Sequence, residues 1–192
     1  MPSPSTAIGS LAGLRELASL KPAFTKDGTI TAANASSIND GASALVLASE
    51  AAVKKHNLKP IAKIVGYAGA AQEPQWFTTA PAKAMDGVLQ KLGLTPNGID
   101  LVEINEAFAV VAMVSAQLSK IDLSKVNVRG GAVALGHPIG ASGARITTTL
   151  LHALQHANKK RGLAREDERA RAVVDRRCVR GGDRAVLAEG GL

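Results

Sequence analysis

From residue 61 to residue 162 the chain switches repeatedly between two hydrophobic periods, and this alternation limits the fold more than any other feature. "IAKIVGYAGA" (61–70) and "IDLVEIN" (99–105) are short apolar runs of strand length. "TTAPAKAMDGVLQKLG" (78–93) has helical spacing, with Thr78 or Thr79 as cap, Pro81 in the first turn and Gly93 as the stop. "EAFAVVAMVSAQLSK" (106–120) is apolar nearly all round, which marks a helix buried between layers. "KVNVRGGAVAL" (125–135) reads as strand then loop. "PIGASGARITTTLLHALQHANKKRG" (138–162) reads as a long helix that opens at Pro138, closes on Lys159, Lys160 and Arg161, and has Gly162 beyond its end. The order β-α-β-α-β-α predicts an α/β fold with a mostly parallel sheet and right-handed crossovers. Three parallel or mixed strands are expected near 61–69, 100–104 and 126–129, and helices near 80–93, 106–119 and 138–159. Phe108, Val111 and Met113 are expected inside the buried helix.

Upstream, Leu11, Leu14, Leu17 and Leu20 are spaced for a short amphipathic turn or helix. "NASSINDGAS" (34–43) is too rich in small polar residues for regular structure and is expected to be a ligand-type loop. "ALVLAS" (44–49) is apolar on both faces and is expected to be a buried strand.

Charge and composition exclude several functions. The net charge is +7, but the lysines are scattered singly or in pairs, with 3% aromatic residues overall and none interleaved for base stacking. A solvated basic surface, or attraction of an anionic substrate, is expected rather than nucleic-acid binding. No apolar run is long enough to span a membrane. The opening residues resemble neither a signal peptide nor a transit peptide. The single cysteine, Cys178, fits a reducing compartment. The cytoplasm is therefore the expected location, with mitochondria left open.

The stretch "RGGAVALGHPIGASGAR" (129–145) puts His137 between Gly136 and Pro138, where loop hands over to helix. A lone histidine there can simply cap the helix. The flanking glycines, however, let backbone approach a ligand closely. The positive end of the helix dipole favours neutral imidazole, the form a base needs. Asn105 ends a strand on the side of a parallel sheet where ligands collect. It can cap the next helix, or it can donate to an oxyanion or hold a water that does. Glu106 in the first turn suits the dipole and has an equally structural reading.

"NEAFA" (105–109), "GGAVALGHPIGASGAR" (130–145) and "DGTITAANASSINDGASALVL" (27–47) together resemble the thiolase family, in order, over residues 10 to 164. "AAQEPQWFTTAP" and "EINEAFAVVA" are most similar to biosynthetic acetyl-CoA acetyltransferases within it. The resemblance implies a fold of two similar halves, each a sheet flanked by helices. Residues 1–56 would end the first half, residues 57–164 would form an incomplete second half, and 165–192 would be an atypical charged tail. It implies acyl transfer between coenzyme A thioesters by Claisen condensation or thiolysis, with an acyl-CoA substrate, no tightly bound cofactor, and a homo-oligomer in the intact protein. His137 matches the histidine that activates the nucleophilic cysteine and helps form an oxyanion hole, and Asn105 the asparagine that holds the water of that hole. Ser36 matches the serine that contacts pantetheine, and Gly136 and Ala107 join it as coenzyme A contacts. In potassium-dependent members, carbonyls at Ala32, Ala33, Ala35 and Val133 would border the ion.

The sequence departs from the pattern in two places. The family's nucleophilic cysteine has no counterpart in these residues, so the chain alone is expected to be inactive. An acyl-CoA-binding remnant is the alternative function. Where a second catalytic cysteine is implied, position 167 is Asp, and Cys178 stands 41 positions after His137 as the distorted candidate or an incidental thiol. From residue 165 onward there are no lysines but seven arginines and six acidic residues. Arg176, Arg177 and Arg180 make a central strand costly there. The two final strands of the family half are therefore expected to be missing, replaced by a polar helix or disorder.

Overall fold

The computed structural model describes residues 17–165, 171–175 and 186–188. Its six strands are β1 (Val46–Ala48), β2 (Pro60–Ala68), β3 (Leu101–Ile104), β4 (Arg161–Arg165), β5 (Arg171–Asp175) and β6 (Val186–Ala188). The helices are α1 (Glu50–Lys55), α2 (Ala80–Leu92), α3 (Ala109–Leu118), α4 (Ala132–Leu135) and α5 (Ile139–His156), with a short 3-10 turn at Leu17–Ser19. All strands join one sheet in the order β1-β6-β2-β5-β4-β3.

The sheet is mixed, as the expectation of parallel or mixed strands allows, but it is far less parallel than the β-α-β order suggests. Only β3 and β4 run parallel, and every other pairing is antiparallel. The strands expected to be missing are present: β5 lies between β2 and β4, and β6 lies between β1 and β2. The charge argument failed because β5 is short. Its described interior is Val173 and Val174, both fully buried, and Asp175 at its end takes a 2.8 Å salt bridge from Nε of Arg161. Arg176, Arg177, Cys178 and Arg180 lie outside the described residues.

Residues 126–129 do not form the expected strand. Val126 makes one parallel bridge to Val102. Asn127 then adopts a left-handed φ of 49°. Its side chain takes the place of a strand partner: Oδ1 accepts from Ile104 N at 2.8 Å, and Nδ2 donates to Ile104 O at 2.9 Å. The strand that follows the long helix is β4, five residues from inside and just past the expected helix end. The helix stops earlier than expected because Asn158, with φ 50°, supplies the left-handed residue rather than Gly162. Gly162 sits in β4 against α5, where a Cβ would come within 2.8 Å of the tips of Leu150 and Leu154.

Side-chain alternation along the strands builds two apolar layers. Val102, Ile104, Leu163 and Val173 face α2 and α3, meeting Met85, Val88, Leu89 and Val111. Leu101, Ala164 and Val174 face α5, meeting Ile146, Leu150 and Leu154. α2 follows its sequence signals, with Pro81 in the first turn and Gly93 at φ 63° closing the last. α3 begins at Ala109 rather than 106. It buries Val111, Ala112, Ser115 and Ala116, but Met113 is 57% exposed and Phe108 is the half-buried N-cap residue. β1 is an edge strand with Val46 and Leu47 exposed, not the buried strand its composition suggested.

Candidate functional site

Asn105 follows the last residue of β3 and is completely buried. Its backbone N–H donates to Arg165 O at 2.8 Å, extending the β3–β4 pairing and fixing where its side chain emerges. It does not cap α3, whose N-cap is Phe108. Its Nδ2 instead lies 3.2 Å from Nε2 of His137. The two residues are 32 positions apart in sequence, and the sheet end and the glycine loop bring them into contact.

Three features set the position of His137. Gly136 takes φ 89°, which an L side chain avoids, and a Cβ there would sit 2.5 Å from Oδ1 of Asn39. The His137 backbone N–H donates to Ser37 O at 2.8 Å, in a short parallel bridge with the 34–38 loop. Nδ1 of the ring lies 2.6 Å from Oγ of Ser142 in the first turn of α5.

The 34–38 loop completes the site. Ser36 N and Ser36 Oγ both donate to Ala107 O, at 3.0 and 3.1 Å. Ala109 N donates to Asn34 O at 2.8 Å. The Ser36 hydroxyl proton is thus held by the protein, and its oxygen remains an acceptor for an incoming N–H. Among the described residues, the main-chain bonds that tie this region together use carbonyls of Asn34, Ser37, Ala107, Gly131 and Ala132. They do not use those of Ala32, Ala33, Ala35 or Val133. No cluster of three or more His, Cys, Asp or Glu suited to a metal exists among the described residues.

Glu106 has a role its sequence position did not suggest. Oε1 accepts from Nδ2 of Asn127 at 2.7 Å and Oε2 from Val133 N at 3.2 Å. It occupies the space where a Cβ on Gly131 would lie. It braces the end of β3 against the loop that leads to His137. Two positions before Asn105, on the same face, Glu103 is buried, and burial pushes its carboxyl up to about 7. The nearby Arg145 charge opposes this shift and Glu106 adds to it.

Beside Phe108 opens a cleft of about 640 Å³ lined by Phe24, Ile30, Pro74, Phe77 and Phe108. Phe24 and Phe77 stand edge-on to Phe108, with centroids at 5.5 and 6.1 Å. The structure therefore gathers His137, Asn105, Ser36, Gly136 and Ala107 into one region, and the apolar cleft opens at Phe108, the residue after Ala107. Cys178 lies outside the described residues. Sequence reasoning missed Asn127, Glu103 and Arg145, and it reads Ser142, with Ala141 and Gly143, only as a small residue that keeps the first turn open toward a substrate, whereas Ser142 is buried against His137. An Asn three positions before the Gly130-Gly131 pair was the one local signal that could have pointed to Asn127.

Comparison with known proteins agrees with this arrangement. A family model described as "Thiolase, C-terminal domain" matches residues 58–166, and "Thiolase, N-terminal domain" matches 5–51. A probable acetyl-CoA acetyltransferase of Dictyostelium discoideum is 55% identical over 149 residues, covering 78% of this chain and 36% of its own. The structure of the Bacillus anthracis acetyl-CoA acetyltransferase superposes with a TM-score of 0.79 at 42% identity, covering 84% of this chain and 42% of that one. A thiolase from Ascaris suum in complex with coenzyme A gives 0.75 at 46% identity, over 84% of this chain and 43% of that one. The chain thus spans well under half the length of these relatives. No helix among the described residues is long and apolar enough to cross a membrane. The matched domain, the sheet topology and the spacing of the His and Asn motifs make this chain a member of the thiolase family.

Proposed function

We propose that this chain carries part of the acyl-CoA site of an acetyl-CoA acetyltransferase, which moves an acetyl group between coenzyme A thioesters by Claisen condensation or thiolysis. The observation that carries the reading is the 3.2 Å approach of Asn105 Nδ2 to His137 Nε2. His137 is the base, and Asn105 presents an amide donor where a thioester oxygen gains negative charge. Ser36 Oγ accepts from an amide N–H of pantetheine, with Ala107 and Gly136 forming the backbone walls. The aromatic cleft takes the apolar arm of the ligand. The carbonyls of Ala32, Ala33, Ala35 and Val133 are oxygen donors of the kind a hard monovalent cation such as potassium needs. Cys178 is the candidate for the second acid–base group.

The same reading divides the chain into 1–56 as the end of a first half, 57–164 as the second half, and 165–192 as the tail that follows. It carries a homo-oligomer and a cytoplasmic location, the latter supported by a sequence with one cysteine. A second reading, an acyl-CoA-binding module without chemistry, is favoured by that same single cysteine. A covalent acyl carrier and a second catalytic thiol would require two.

Calorimetric titration tests both readings. Coenzyme A should bind the 192-residue chain, and Phe108→Ala should weaken binding several-fold, on the scale of ~1 kcal/mol for a lost ring contact. Acetoacetyl-CoA thiolysis by the chain alone should stay at background, because the groups of a covalent mechanism act as a unit. Failure to bind coenzyme A overturns both readings. Turnover that disappears in His137→Ala selects the enzyme over the binding module.

A further inference from the structure

Ser142 is fully buried, and its side chain ends on the ring of His137. Its Oγ lies 2.6 Å from Nδ1 and 3.2 Å from Pro138 O. The hydroxyl has one proton to give and lone pairs to receive another. The Pro138 carbonyl can only accept, so the Oγ proton directed there leaves Oγ as the acceptor for Nδ1–H. On the other side of the ring, the Asn105 amide nitrogen can only donate, and Nε2 at 3.2 Å must then offer its lone pair. Both contacts require the same tautomer. Free histidine in water prefers the opposite one, with hydrogen on Nε2, so the protein must impose the choice.

We propose that Ser142 is a positioning residue that holds neutral His137 in the Nδ1–H tautomer, leaving the Nε2 lone pair directed at Asn105. Its value for catalysis rests on the function proposed above, since a base at Nε2 needs that lone pair. The tautomer itself does not rest on it. Pro138 contributes by fixing the turn between the ring and the helix. Because Ser142 is the fourth residue after Pro138, its Oγ reaches back to the Pro138 carbonyl within the first helical turn.

Nitrogen NMR of 15N-histidine-labelled chain reads the tautomer directly, in the alkaline plateau of the ring's own titration and without ligand. The His137 signals are assigned by their loss in His137→Gln, which separates them from His56, His152 and His156. In the wild-type chain, Nδ1 should resonate as a protonated nitrogen and Nε2 as an unprotonated one. In Ser142→Ala the two should move toward each other as the Nε2–H form becomes populated, and Ser142→Thr, which keeps the hydroxyl, should restore the original pattern. A wild-type spectrum with hydrogen on Nε2 overturns the proposal, and needs no variant to fold. So does a folded Ser142→Ala chain whose His137 signals are unmoved. Because no coenzyme A is present, neither outcome depends on whether the chain binds it.

Discussion

At the level of single residues, the site is held by groups that suit one conformation and no other. Gly136 has φ 89° and ψ 167°, a region essentially reserved for glycine. Gly136→Ala should cost about 1–3 kcal/mol of stability in chemical denaturation and should displace His137, seen as changed ring shifts. A wild-type denaturation midpoint in that variant would mean the loop accommodates a side chain. Glu103 titrates in the opposite sense to a paired surface carboxylate. Its pKa is raised from 4.5 to about 7, first by burial, with Arg145 opposing the shift. The folded chain therefore holds that proton more tightly than the unfolded chain does. The stability linked to it is fully present below about pH 4.5 and declines as pH rises through about 7, by up to roughly 3 kcal/mol. Glu103→Gln cannot titrate, so its urea midpoints between pH 5 and 8 should lose that downward slope. Equal slopes in the two proteins would assign the effect elsewhere. Arg145, whose Nε and Nη1 are buried with no hydrogen-bond partner among the described residues, is the charge against which this carboxyl is set.

At the level of elements, apolar spacing was the readable signal, and what it left out was pairing. The expected helices at 80–93, 106–119 and 138–159 appear as α2, α3 and α5; α2 and α5 end where Gly93 and Asn158 take left-handed conformations, and α3 starts three residues late, at Ala109. His137 and Asn105 were legible because glycines and a strand end mark them in sequence. Ser142 was not, because a serine in a helical run looks like any other until the ring turns onto it. The strand at 126–129 failed because a side chain, Asn127, does the pairing that backbone usually does. β5 and β6 were misjudged because arginine content was averaged over the tail, while the sheet uses only short apolar centres. The burial of Val173 and Val174 makes a sharp test. Val173→Ala and Val174→Ala should each cost roughly 1–3 kcal/mol, one by opening space beneath α2 and the other beneath α5. Values near zero in thermal denaturation would mean β5 is not part of the cooperative sheet.

At the level of the whole molecule, the order of strands in space bears little relation to their order along the chain. β2 is flanked by β5 and β6, both more than a hundred positions later, and β1 touches the sheet only through β6. Until residues 171–188 arrive, β1, β2 and the β3–β4 pair are three fragments with no ladder between them. On a ribosome, β2 therefore leaves the exit tunnel with both edges unpaired and stays so while the next hundred residues are made. Its stretch "PIAKIVGYA" is apolar enough to pair with a neighbouring nascent chain during that wait. Such a topology folds slowly, because the closure of long loops must precede the contacts that reward it. β5 and β6, made long after β2, are thus what turns separate pieces into a sheet, and β2 is open to wrong pairing until they come.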